Sequence, residues 1–217
     1  MKKKTLKMMG LSLMLLCVSM SGYSQKTIDL FNGKDLSNWT LFVDPESGVN
    51  PSDVYKVNDG IIEIAGKPFG CMYTKQQYEN YKLHVEWRWP NEKANSGIFL
   101  FMQTPTKLWP NAIECQLHAG DAGDFVLLGG SDLKEFKLNK GEKRPEYPIV
   151  RKMNQSNEMT PGEWNNAEIF CKNGKITVYI NGTLQNKATK PSDKKGFIGL
   201  QSEGGPIQFR NVRLTPQ

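Results

Sequence analysis

Ile176-Thr177-Val178-Tyr179-Ile180-Asn181-Gly182-Thr183-Leu184 is the stretch that decides the class of fold. Ile176, Val178 and Ile180 alternate with Thr177 and Tyr179, the period of two expected of a strand with one buried face. Asn181-Gly182 then supplies the two residues that tolerate positive φ in a tight hairpin turn, and the chain returns through Thr183-Leu184. The Asn-x-Thr at 181–183 reads better as turn chemistry than as a glycosylation acceptor.

The same punctuation recurs to either side. Runs at 54–57 and 61–64 flank Asn58-Asp59-Gly60, a second tight-turn signal, and 82–89, 97–102, 112–118, 167–172, 197–201 and 207–212 alternate or run apolar. Beyond the N-terminal segment no helical period persists over ten residues, and 74–80 has room for a turn or two at most. These patterns predict an all-β protein, a jelly-roll β-sandwich of two antiparallel sheets. Stretches 120–148 and 151–162 show weak strand character; loops of that length suit the walls of a binding site.

The first 24 residues have the pattern of a signal peptide. Lys2, Lys3, Lys4 and Lys7 precede an apolar run at 8–18, and Gly22-Tyr23-Ser24 offers small residues for cleavage after Ser24. The run is short for a spanning helix, so no transmembrane segment is expected. Lipid attachment at Cys17 is disfavoured because Leu16 stands where a small residue is needed. The expected mature protein is 25–217, one domain, exported to the periplasm or cell surface. Cleavage removes four lysines and no acid, so the formal charge of +6 falls to +2. Most of the basicity that would suggest nucleic acid leaves with the leader.

Cys71, Cys115 and Cys171 remain. An odd count in an oxidising compartment allows one disulfide with a free thiol or three buried thiols, and the strand patterns around Cys115 and Cys171 favour packing. No CxxC pair suggests zinc, and no cofactor is required by the sequence, although a divalent metal is compatible with it.

Chemistry concentrates in Ala112-Ile113-Glu114-Cys115-Gln116-Leu117-His118, where Glu114, Gln116 and His118 project to one face and Ile113, Cys115 and Leu117 to the other. His84, Glu86 and Arg88 repeat the arrangement opposite Leu83, Val85 and Trp87. Together the two strands would supply acid, base and a cation to one substrate, a carboxyl serving as general base once desolvation raises its pKa. The competing reading is a solvent-facing surface on which Glu86 and Arg88 merely pair. Trp109, in a loop-like segment before the reactive strand, is a candidate for stacking on a sugar ring; Trp39, Trp87 and Trp164 look like packing residues.

The chain resembles the 3-keto-disaccharide hydrolases, a family abundant in exported proteins of Bacteroidetes. The resemblance rests on Leu30-Phe31-Asn32-Gly33-Lys34-Asp35-Leu36-Ser37-Asn38-Trp39, on Glu86-Trp87-Arg88 followed by Asn95-Ser96-Gly97-Ile98-Phe99, and on Glu114-Cys115-Gln116. Gly162-Glu163-Trp164-Asn165, Ile180-Asn181-Gly182 and the closing 199–211, which runs Gly-Leu-Gln-Ser-Glu-Gly-Gly-Pro-Ile-Gln-Phe-Arg-Asn, complete the ordered set. It implies a concanavalin A-like jelly roll acting on glycosides oxidised to a ketone at C3. Many members carry His where Glu203 stands, so the closing motif departs from the pattern. On this reading Glu114 or His118 removes the C2 proton, Glu86 assists the leaving group, and Arg88, Gln116, Trp109, Gln201 and Glu203 contact an oligosaccharide or glycoside. The alternative is a lectin-like carbohydrate-binding module that transforms nothing.

Overall fold

The structure, a computed structural model, describes residues 26–217; the expected signal peptide and Cys17 lie outside the described residues. Fifteen strands follow in chain order among them: β1 (Ile28–Asp29), β2 (Trp39–Val43), β3 (Tyr55–Asn58), β4 (Ile61–Ile64), β5 (Gly70–Thr74), β6 (Tyr81–Arg88), β7 (Gly97–Met102), β8 (Ala112–Gln116), β9 (Phe125–Leu128), β10 (Ile149–Val150), β11 (Asn165–Lys172), β12 (Lys175–Ile180), β13 (Thr183–Thr189), β14 (Phe197–Ser202) and β15 (Ile207–Pro216). They form two antiparallel sheets. One has the order β13-β12-β11-β6-β15-β4-β3, with β1 joining β15, and the other β10-β9-β8-β7-β14-β5-β2.

The hairpin signals act as the local chemistry requires. Asp59 and Gly60 between β3 and β4, and Asn181 and Gly182 between β12 and β13, all take positive φ, the geometry whose twist matches paired strands. The inward halves of the alternating strands meet in one core: Leu83, Val85 and Trp87 of β6 and Ile169 and Cys171 of β11 pack with Ile98 and Leu100 of β7 and Ile113 and Cys115 of β8. At Phe101, φ is 52° and the register against β14 shifts. This bulge keeps Phe101 in the inter-sheet core and turns Met102 to the opposite face, beside Phe99.

Three departures from the sequence reading have physical causes. Residues 120–148 are not all loop, because β9 carries Phe125-Val126-Leu127-Leu128, buried on both faces and therefore without alternation. The strand expected over 112–118 stops at Gln116, whose side-chain oxygen accepts from the backbone N–H of Leu117 and of His118, while Leu117 and Ala119 still donate to Ser96 and Ala94. Trp164 is not a core residue: it lies under the guanidinium groups of Arg88 and Arg210, 4.6 and 4.0 Å from its ring centroid. All three cysteines are buried free thiols, and burial pushes Cys71 and Cys171 up to about 12.

Candidate active site

Glu114 sits at the centre of β8 on the face turned away from the inter-sheet core. Register places Phe99 of β7 on one side of it and Val126 of β9 on the other. Around it lies an apolar patch of Cys71, Phe99, Met102, Ala112, Val126 and Leu128. Its carboxyl lies directly over Gly97: a Cβ at Gly97 would fall 2.1 Å from Glu114 Oε1. Only 2 % of the residue is exposed, and Oε1 has no hydrogen-bond partner. Burial in this apolar setting, reinforced by the negative charge of Glu203, holds the Glu114 carboxyl well above the ordinary range. Glu114 accordingly holds its proton more tightly than an ordinary carboxyl does.

Glu203 follows β14 and occupies a wetter position. Burial raises its carboxyl too, while the Gln201 amide and the nearby His118 pull in the opposite direction. Gln201, on the same face through its pairing with Cys71, is 2 % exposed and its Oε1 has no partner. Buried polar atoms without partners are uncommon in folded proteins, and two of them lie on this face. His118 stands at the margin, half exposed, with Nδ1 facing Asp121 Oδ2 at 3.1 Å. Lys152 Nζ is 3.5 Å from the other Asp121 oxygen.

Two loops cover this face. The segment between β7 and β8 brings Trp109 against the apolar patch and to 5.8 Å, between ring centroids, from Phe69. The segment after β9 brings in Tyr147, whose hydroxyl donates to Glu146 Oε1 at 2.8 Å; that bond first, then burial and the charges of Glu146 and Glu203, raises its phenol. Gly129 (φ 62°) ties the two loops, since a Cβ there would meet Asn111 N at 2.5 Å. Between them Lys107, Leu108, Trp109, Gly129, Gly130, Glu146 and Tyr147 line a cavity of about 390 Å³.

Glu86 and Arg88 are elsewhere. They belong to β6, in the other sheet, and with Leu83, Val85 and Trp87 turned inward they point out of the opposite face of the sandwich. Glu86 accepts from Arg210 Nε at 2.6 Å and Asn211 Nδ2 at 2.7 Å. Burial works to raise its carboxyl, but those bonds together with His84 outweigh it and hold it below the usual range. Arg88 donates from Nε to Gln208 Oε1 at 2.6 Å. His84 bridges Glu86 and Glu168 beside a polar depression of about 430 Å³. The single site expected from β6 and β8 is therefore corrected: both layers of the sandwich separate Glu86 and Arg88 from Glu114.

The described residues 26–215 match the family model for the 3-keto-alpha-glucoside-1,2-lyase-like domain. The chain belongs to this family. It is similar to the 3-keto-disaccharide hydrolase of Bacteroides thetaiotaomicron, with 25% identity over 97% of this chain and 84% of that protein. In structure it is similar to a Parabacteroides distasonis protein that carries a provisional glycosyl hydrolase name, with a TM-score of 0.62, 24% identity, and coverage of 88% of this chain and 100% of that one. A carbohydrate-binding module from Bacillus subtilis shares the fold at a TM-score of 0.55 and 9% identity, over 81% of this chain and 94% of that one.

In this family member the structure brings together Glu114, Gln201, Glu203 and His118, with Trp109 in the cover and Gln116 shaping the strand end. Among the described residues no group of three or more His, Cys, Asp or Glu side chains is arranged to hold a metal ion. Tyr147, Phe69, Asp121 and Gly97 join the site without having been singled out in the sequence. The length of the loop containing Tyr147 was the one signal for it; Phe69 lies outside any alternating pattern.

Proposed function

We propose that this protein cleaves glycosides carrying a ketone at C3, by elimination across C1 and C2, and that it does so as an exported enzyme. The observation that carries the reading is the pairing on one sheet face of a deeply buried Glu114, whose surroundings favour its protonated form, with a less buried Glu203. Two carboxyls whose surroundings push their pKa values apart can serve as acid and base in one reaction.

A C3 ketone acidifies the proton at C2. Glu203, in its carboxylate form, takes that proton, and the electron pair passes into the enolate. Protonated Glu114 donates a hydrogen bond to the C3 oxygen, where negative charge develops, and a donor buried in apolar surroundings is effective there because little water competes. The enolate then expels the C1 substituent with the C1–O bonding pair. His118, held through Nδ1 by Asp121, leaves Nε2 to protonate the departing oxygen, the part that the sequence reading gave to Glu86. Water adding to the unsaturated product makes the net reaction a hydrolysis.

The test is to incubate the purified protein with matched native and 3-keto disaccharides, with and without chelator, and follow the products by NMR. Conversion of the 3-keto sugar alone, abolished in Glu114→Gln and Glu203→Gln, is the expected result. Cleavage of the native sugar at a similar rate would point to two-carboxylate hydrolysis. Binding without conversion of either would support a carbohydrate-binding module.

A further inference from the structure

The cavity between the two covering loops has no part in the proton transfers above, yet it opens beside them. Trp109 lines it while packing on the apolar patch around Glu114, and Tyr147 lines it where the charge of Glu203 still reaches its phenol. Its volume, about 390 Å³, falls in the range of small-molecule sites, roughly 300–1,000 Å³. Its chemistry is mixed in a particular way. The Trp109 indole and Leu108 supply apolar surface, and Lys107, Glu146 and the Tyr147 hydroxyl supply charged and polar groups at its edge. A pyranose ring has the complementary surface, with C–H groups on its faces and hydroxyls around its rim.

We propose that this cavity is the leaving-group subsite, holding the second sugar of a 3-keto disaccharide with one ring face on Trp109 and its hydroxyls on Lys107 and Glu146. The assignment rests on the reading of Glu114 and Glu203 as the reacting pair. The close approach of Pro110–Asn111 to Gly129 sets the two walls at a fixed spacing. Specificity for a ring-shaped leaving group would then come from contacts the reacting sugar does not make. Binding energy gained there is available to orient C1 and C2 against Glu203 and His118.

The experiment compares kcat/KM for a 3-keto disaccharide with that for methyl 3-keto-glucoside, whose leaving group cannot fill the cavity. Wild type should prefer the disaccharide, and Trp109→Ala should lower the disaccharide value about tenfold more than it lowers the methyl glycoside value, an aromatic contact of about 1.4 kcal/mol. Lys107→Ala and Glu146→Gln, at exposed positions where folding is not at stake, should act in the same direction. Equal losses on both substrates would assign Trp109 to holding the loop and overturn the proposal, as would no loss in any of the three variants. Failure of wild type to convert either substrate would overturn the proposed reaction as well, which keeps the two failures distinguishable.

Discussion

Replacing Glu114 with Gln should flatten the pH dependence of stability. In the folded protein the Glu114 carboxyl is held well above the model value of 4.5 by burial and by Glu203. A carboxyl whose folded pKa exceeds its unfolded one binds its proton more tightly in the native state. Its stabilising contribution is therefore complete below about pH 4.5 and is lost as pH rises toward the folded pKa. Across that window the loss is about 1.4 kcal/mol per pH unit, set against a total stability of about 5–15 kcal/mol for a typical domain. Gln cannot ionise. Its amide carries its own cost in a pocket where Oε1 already lacks a partner, but that cost is independent of pH and displaces the whole curve. Glu203 titrates in both proteins and cancels to first order. Urea unfolding from pH 4 to 8 should show the difference between Glu114→Gln and wild type moving steadily in favour of the variant as pH rises. Parallel curves would refute the assignment of Glu114 as a buried neutral acid, and with it the enolate-donor role.

Two further perturbations separate the faces of the sandwich. Gly97→Ala places a methyl 2.1 Å from Glu114 Oε1 and 2.6 Å from Cδ; with the side chain buried it should cost about 1–3 kcal/mol and abolish most turnover of a 3-keto glycoside, and full turnover would mean that the Glu114 carboxyl is not where the reaction needs it. Glu86→Gln should leave turnover unchanged. It should destabilise by about 1 kcal/mol at neutral pH through weakened bonds to Arg210 and Asn211. Because the Glu86 pKa is lowered by folding, that difference should fade as pH falls, the reverse of Glu114→Gln; a large loss of turnover would restore Glu86 to the reaction.

Much of the fold was legible because hairpins are local. Ile61–Ile64 and Gly97–Met102 were found at their observed bounds, and both Asp-Gly and Asn-Gly turns formed where the dipeptides stand. β9 escaped notice because burial on both faces erases the period-two signal on which the reading depends. The site was half legible. Glu114, Gln201 and Glu203 were named as candidates and lie together, and His118 stays near them although the strand ends before it.

By itself the sequence determined that β6 and β8 each carry a polar face with an acid on it, since alternation depends only on the geometry of one strand. Which way those faces point is a property of two sheets at once. Each strand must turn its apolar side to a shared core, so Leu83, Val85 and Trp87 meet Ile113 and Cys115 between the layers, and the polar sides are driven to opposite surfaces. Only the tertiary structure could separate Glu86 from Glu114, set Glu203 near Glu114, and draw the loops bearing Trp109 and Tyr147 over one of the two faces, where exclusion of water raises a carboxyl's pKa.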